Sequence, residues 1–215
     1  QNISVLISIA KQLLEIFSMV KEGINVTPIS ELSGGPSSPH VTSSRLTVSP
    51  TVNESEAIEE QVLQGIRAAG FRFCTPIQSS TLPIALAGKD IAGQAQTGTG
   101  KTAAFLIATF CHLLNNQSHP AKRLGRTGPR CLIIAPTREL ARQIEKDTLI
   151  LGKYCDYKTV CVHGGIDYEK QRNQIKQGVD ILIATPGRLI DYYKQKFFSL
   201  KKFAASIIKK RISGL

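Results

Sequence analysis

The sequence predicts an α/β domain of three layers, with helices on both faces of a mostly parallel central sheet. Two observations carry this. Short runs such as "RCLIIAP" and "GVDILIATP" are apolar without alternation, so a strand made from them needs cover on both sides. Between them lie longer stretches with helical spacing, "KTAAFLIATFCHLL" and "TRELARQIEKDTLILG". Strands alternating with helices give a parallel sheet closed by crossovers.

Taken in order, residues 1–26 read as an amphipathic helix, with apolar residues at Ile3, Leu6, Ile7, Leu13, Leu14, Phe17 and Val20. Lys11, Gln12 and Glu15 interrupt the run, and no basic stretch of the kind that opens a signal peptide precedes it. Such a helix docks on a partner or a membrane surface, and a false start of translation accounts for it equally well. Residues 27–53 are rich in Ser, Thr, Pro and Gly and read as a flexible linker. Residues 54–215 are the structured body. Its first helix, "SEAIEEQVLQGIRAAG", takes Ser55 as its cap and ends at Gly70. "KDIAGQA" reads as a short strand leading into a glycine run, and "KTAAFLIATFCHLL" as a buried helix. "RCLIIAP", "KTVCVHGG" and "GVDILIATP" are strands, and "TRELARQIEKDTLILG" and "GRLIDYYKQ" are helices. No segment reaches the eighteen clean apolar residues that a membrane span needs, so none is expected.

Composition narrows the function classes. The net charge is +11, and residues 1–60 hold three basic and seven acidic side chains, leaving 24 basic and nine acidic in the rest. An excess of that size on one domain points to a polyanion, nucleic acid before membrane, with a merely soluble basic surface as the plainer reading. The five cysteines (74, 111, 131, 155 and 161) contain no CxxC and no zinc-like spacing, which fits reduced thiols in a cytosolic protein.

"AQTGTGKT", residues 95–102, matches a phosphate-binding loop with Ala95 in place of the more usual first glycine. Gly98 and Gly100 let backbone N–H groups turn inward around one phosphate chain, and the following helix adds its positive end. Lys101 then reaches the terminal phosphates and the Thr102 hydroxyl coordinates Mg²⁺, which makes both the catalytic candidates and Thr102 the metal ligand.

Further motifs surround the loop: "GFRFCTPIQ" upstream, then "PTREL", "GG" and "TPGR", each ending a strand. In this order they resemble the DEAD-box family of ATP-dependent RNA helicases, closest to the bacterial members associated with RNA turnover. The resemblance covers about residues 56 to 200. It implies a RecA-like fold, ATP and Mg²⁺ as cofactors, RNA as partner, contact with RNA-degradation machinery and a cytoplasmic location. By it, Thr75 and Gln78 serve the nucleotide, Gln78 reading the adenine edge, together with Ala95, Gln96, Thr97, Gly98, Thr99, Gly100, Lys101 and Thr102. Pro136, Thr137, Arg138, Glu139, Gly164, Gly165, Thr185, Pro186, Gly187 and Arg188 meet the RNA backbone. Backbone N–H groups, hydroxyls and arginines bind phosphate and sugar oxygens without reading bases.

Each has a plainer reading. Arg138 pairs with Glu145 or Asp147; Gly164 and Gly165 only turn the chain; Thr185 and Pro186 are a helix cap and first-turn proline; Arg188 is a solvated helix side chain. His163 is read as structural.

Two departures from the family pattern stand out. The family's adenine-stacking aromatic would fall near Glu56, and no aromatic lies between Phe17 and Phe71. Where the family has a buried strand ending in Asp-Glu-Ala-Asp, this chain reads "KKFAASIIKKRISGL". On that basis the strand is expected to be missing, through a shifted frame or truncated gene. An exposed sheet edge and a nucleotide- and RNA-binding fragment without hydrolysis follow as the alternative.

Overall fold

The computed structural model describes residues 58–115, 129–197 and 205–208. The amphipathic helix of residues 1–26, the linker, the Ser55 cap and the position near Glu56 lie outside the described residues. The elements are α1 (Glu60–Ala68), α2 (Pro76–Leu86), α3 (Lys101–Asn115), β1 (Cys131–Ile134), α4 (Arg138–Leu151), β2 (Thr159–Val162), α5 (Tyr168–Lys176), β3 (Ile181–Ala184), α6 (Pro186–Lys194) and β4 (Ala205–Ile208).

The four strands form one parallel sheet in the order β2-β3-β1-β4. Along β1 the side chains alternate between two cores, which is why its sequence shows no polar face. Cys131 and Ile133 join Ile181 and Ile183 against α1 to α4, where Val62, Leu106, Phe110 and Ile144 are buried. Leu132 and Ile134 join Leu182 and Ala184 on the other face, against Ile175, Leu189 and Tyr192. The three-layered α/β class is thus the observed one. Phe110 and Leu106 are fully buried, each contributing about 1.5–3 kcal/mol of apolar transfer, and they fix α3, the helix that carries the glycine loop at its amino end.

A buried polar link closes the amino end of the sheet. Arg130 donates to the Leu113 carbonyl at the end of α3 and lies 4.0 Å from the Asp180 carboxylate. The other Asp180 oxygen accepts from the Lys158 N–H at 3.0 Å. A buried charge of this kind is tolerable because it is both paired and hydrogen-bonded.

Two expectations are corrected. "KDIAGQA" is not a strand: residues 89–94 are exposed, and the sheet gives them no ladder partner among the described residues. With one Ile among alanines and a glycine, the run has little to hold it in a pleated surface. The strand expected to be missing is present, because Ala205–Ile208 pairs with β1 from Cys131↔Ala205 to Ile134↔Ile208. The edge of β1 is therefore covered. "TPIQ" opens α2, a helix begun by Pro76 and bracketed by Thr75.

Candidate functional site

The glycine loop is shaped by its own glycines and by α2. Gly100 sits at φ +87, a left-handed conformation that suits glycine, and a Cβ there would stand 2.4 Å from Gln78 Nε2. That closeness is a built contact. Gln78 Nε2 donates to the Gly100 carbonyl at 3.1 Å, and its Oε1 accepts from the Thr75 N–H at 2.9 Å. The Thr75 hydroxyl donates to the Thr99 carbonyl at 2.8 Å. Both ends of the buried Gln78 amide are thus engaged within the protein, on the loop and on the start of its own helix.

Within the loop, the Thr99 hydroxyl donates to the Gln96 carbonyl at 2.8 Å. The Lys101 ammonium donates to the carbonyls of Ala95 and Gln96 and stands 3.5 Å from Thr99 Oγ1. Gln96, Thr97 and Gly98 are exposed around it, with Thr102 one residue into α3. The residues fit a polyphosphate: a cation held by neutral oxygens exchanges them favourably for charged ones, and the helix amino end adds N–H donors. No group of three His, Cys, Asp or Glu among the described residues is placed to hold a metal ion. A magnesium ion here would rest on Thr102 and phosphate oxygens, and would supply charge neutralisation at those oxygens.

The second cluster lies at the carboxyl ends of β1, β2 and β3. A groove of about 510 Å³ is lined by Pro136, Thr137, Arg138, Glu139, Gly164, Thr185, Gly187, Arg188 and Asp191. Three strand ends build this rim. Two predicted residues sit behind the lining. Pro186 is buried at the first turn of α6, and Gly165, at φ +83, would bring a Cβ within 2.6 Å of Arg138 Nη1. A Cβ at Gly164 would likewise stand 3.1 Å from Arg138 Nη2. The two glycines therefore do more than turn the chain: they admit the Arg138 guanidinium.

Local chemistry sets the other members. Thr137 caps α4, its hydroxyl accepting from the Leu140 N–H at 3.2 Å. Thr185 brackets α6 without a side-chain cap bond. The Glu139 carboxyl is held below its usual range by its own backbone N–H, with the Thr137 hydroxyl and the cations Arg138 and Arg142 adding to the effect. Arg188 is no free solvated side chain: its guanidinium lies 5.0 Å from the Tyr168 ring centre and 5.6 Å from that of Tyr192.

Behind the rim, His163 is buried; its Nδ1–H donates to the Gly164 carbonyl at 2.9 Å and its Nε2 accepts from Arg142 Nε at 3.2 Å. One ring nitrogen holds the turn and the other is tied to Arg142 on α4, which agrees with a structural role. Burial pushes the Glu145 carboxyl up, against the opposing pull of His163 and Arg142. The thiols are equally unsuited to nucleophilic chemistry, since burial pushes Cys131 and Cys161 up to about 12.

Asp191 was not foreseen. It follows Arg188 by three residues on α6, so helical spacing alone places both on one face.

The fold and these two clusters define a RecA-like α/β domain whose glycine-rich loop opens a buried helix beside a groove across adjacent strand ends. Comparison with known proteins makes the class specific. The sequence pattern of the DEAD/DEAH box helicase family matches residues 75–208, and the chain belongs to that family. It is 52% identical over 151 residues to the ATP-dependent RNA helicase RhlB of Shewanella denitrificans, covering 70% of this chain and 34% of that protein. It is 54% identical over 151 residues to RhlB of Pasteurella multocida, covering 70% and 35%. The chain thus spans about a third of the length of the curated relatives it matches. Among solved structures, the RNA helicase Prp28 of Chaetomium thermophilum bound to ADP aligns with a TM-score of 0.64 and 34% identity, over 74% of this chain and 38% of that one. A hypothetical ATP-dependent RNA helicase from Sulfolobus tokodaii aligns with a TM-score of 0.59 and 37% identity, over 70% and 40%.

Proposed function

We propose that this chain is the first nucleotide-binding domain of an ATP-dependent RNA helicase, which binds ATP with Mg²⁺ and the RNA backbone and couples hydrolysis to duplex unwinding. The observation that carries the reading is the pairing of a lysine-bearing glycine loop with a groove at three strand ends that presents Arg138 and Arg188. Residues 95–102 hold the phosphates, Lys101 exchanges the Ala95 and Gln96 carbonyls for phosphate oxygens, and Thr102 meets the magnesium ion. Thr75 and Gln78 set the loop, and the Gln78 amide turns to the adenine edge once it leaves Gly100.

Pro136, Thr137, Arg138, Glu139, Gly164, Gly165, Thr185, Pro186, Gly187 and Arg188 form or support the RNA side. Arginines, hydroxyls and backbone N–H groups there read phosphate and sugar, so binding is independent of sequence and weakens with salt. A cytoplasmic protein that meets RNA-degradation machinery completes this reading, with residues 1–26 and 27–53 as a docking helix and its linker.

The test is a titration with a fluorescent ATP analogue and Mg²⁺, with and without single-stranded RNA, following turnover in the same samples. Binding that disappears in Lys101→Ala supports the reading. Equal binding by both proteins, or by neither, overturns it.

A further inference from the structure

Gln171 belongs to none of the motifs, yet it is a polar side chain only 2% exposed, on the buried face of α5. Its Nε2 donates to the His163 carbonyl at 3.2 Å, and its Oε1 accepts from the Tyr192 hydroxyl at 3.2 Å. This orientation is forced, since a flipped amide would set two oxygens against each other at His163. The Tyr192 hydroxyl shares its proton with the Tyr168 carbonyl at 3.1 Å.

What the two partners support gives the bridge its meaning. His163 directly precedes the Gly164–Gly165 turn, and that turn seats the Arg138 guanidinium. Tyr192 is fully buried, packs against Tyr168 with ring centres 4.7 Å apart and planes tilted by 49°, and lies with it beneath Arg188. One buried amide therefore joins the seat of one groove arginine to the seat of the other. The amide satisfies the buried His163 carbonyl and, in doing so, ties it to Tyr192, a link that a leucine filling the same space would lack.

We infer that Gln171 is a positioning residue for the groove, fixing the spacing of Arg138 and Arg188 so that both meet one RNA backbone. The inference rests on the RNA-backbone reading of the groove. It goes beyond that reading by naming a residue that never touches RNA. Affinity for a polyanion with fixed charge spacing depends on where the two cations are held, and an amide bonded at both ends holds them more rigidly than packing alone.

The experiment uses the 215-residue chain, a fluorescein-labelled oligouridylate at low salt, and fluorescence anisotropy. Gln171→Leu removes both bonds and keeps the volume; it is expected to weaken RNA binding about tenfold, the effect of losing roughly one to two hydrogen bonds' worth of positioning. Binding of the fluorescent ATP analogue stays unchanged. Tyr192→Phe keeps the ring under Arg188 and loses only the hydroxyl, with an expected loss of about threefold. In an Arg188→Ala background, Gln171→Leu should cost much less than in the parent, because its effect runs partly through Arg188.

A merely structural role would lower the melting temperature, leave affinity below the melt unchanged, and show no coupling to Arg188. If Arg138→Ala and Arg188→Ala leave RNA binding intact, the RNA reading fails and the bridge falls with it. If those two weaken binding while Gln171→Leu and Tyr192→Phe do not, the RNA reading stands and the bridge alone is overturned. Should Gln171→Leu not fold, Tyr192→Phe decides.

Discussion

The guanidinium of Arg138 occupies the space in which a side chain at Gly165 would begin: a Cβ there would stand 2.6 Å from Nη1. Two motifs far apart in sequence are thus complementary in shape, one supplying the cation and the other the absence of a side chain.

Gly165→Ala should therefore displace Arg138 and strain a turn held at φ +83. The backbone conformation alone costs about 1 kcal/mol for alanine. Loss of a charge-assisted contact adds an expected drop of about tenfold in RNA affinity. Arg138→Ala should match the affinity loss without the loss of stability. It should also lower the slope of log affinity against log salt by about one. An alanine variant at Gly165 with unchanged RNA affinity would falsify the idea that the turn seats Arg138.

Gly100 makes the corresponding argument for the nucleotide side. At φ +87, with a Cβ placed 2.4 Å from Gln78 Nε2, Gly100→Ala should break the Gln78–Gly100 hydrogen bond and distort the loop. The expected melting temperature falls by about 2–4 °C per kcal/mol lost, and binding of the ATP analogue falls more than about tenfold. The steric part can be isolated. In a Gln78→Ala background the severest contact is gone and only Thr75 Oγ1, at 3.2 Å, remains close, so Gly100→Ala should cost less there than in the parent. Equal costs in both backgrounds would show that Gln78 is not what the new side chain meets.

What the sequence made legible follows from burial on both faces. β1, β2 and β3 were readable because each is continuously apolar, and their motifs were readable because strand ends carry the rim. α2 was hidden: Pro83 sits inside it, and Ser79, Ser80 and Thr81 blur its apolar face. α5 was hidden because its inward side chains include Gln171, a polar residue whose partners only the fold supplies. β4 was hidden because "ASII" is a short run between lysines, and its pairing with β1 is a tertiary fact. "KDIAGQA" failed in the other direction, a strand assigned by its place before the loop and not by its residues. In the site, the family resemblance of motifs placed at strand ends pointed to most of the residues that line the groove, though not to Asp191. It could not tell that Gln78 clamps the loop or that Arg188 rests on two tyrosines.

Where α1 meets α4 the backbones are nearly in contact. A Cβ at Gly65 would fall 1.9 Å from the Leu151 carbonyl oxygen, which is main chain and cannot swing aside. Gly65→Ala should force the helices apart and destabilise the domain by more than about 2 kcal/mol. Urea unfolding measures this, and an unchanged midpoint would contradict so close a crossing. Just below the melt, ATP-analogue affinity should be preserved, since neither helix carries the loop.

The buried thiols predict an alkaline limit to stability. Burial pushes Cys131 and Cys161 up to about 12 and Cys111 and Cys155 up to about 11, from an ordinary value of 9.0. Above pH 9 the unfolded chain releases these protons while the folded chain keeps them, so unfolding is coupled to proton release. Their contribution is therefore intact below pH 9 and is lost progressively as pH rises from 9 towards 11 and 12. Each thiol steepens the decline by at most about 1.4 kcal/mol per pH unit. Cys131 is the cleanest reporter, being fully buried in the centre of the sheet. Cys131→Ala should lower stability at neutral pH by removing a buried side chain, and should flatten the decline above pH 9 relative to the parent. Urea midpoints at pH 7.5, 9 and 10.5 measure both effects, with thiol-reagent accessibility of the native protein as a check. Parallel pH profiles for parent and variant would mean that Cys131 ionises as readily in the folded chain as in the unfolded one.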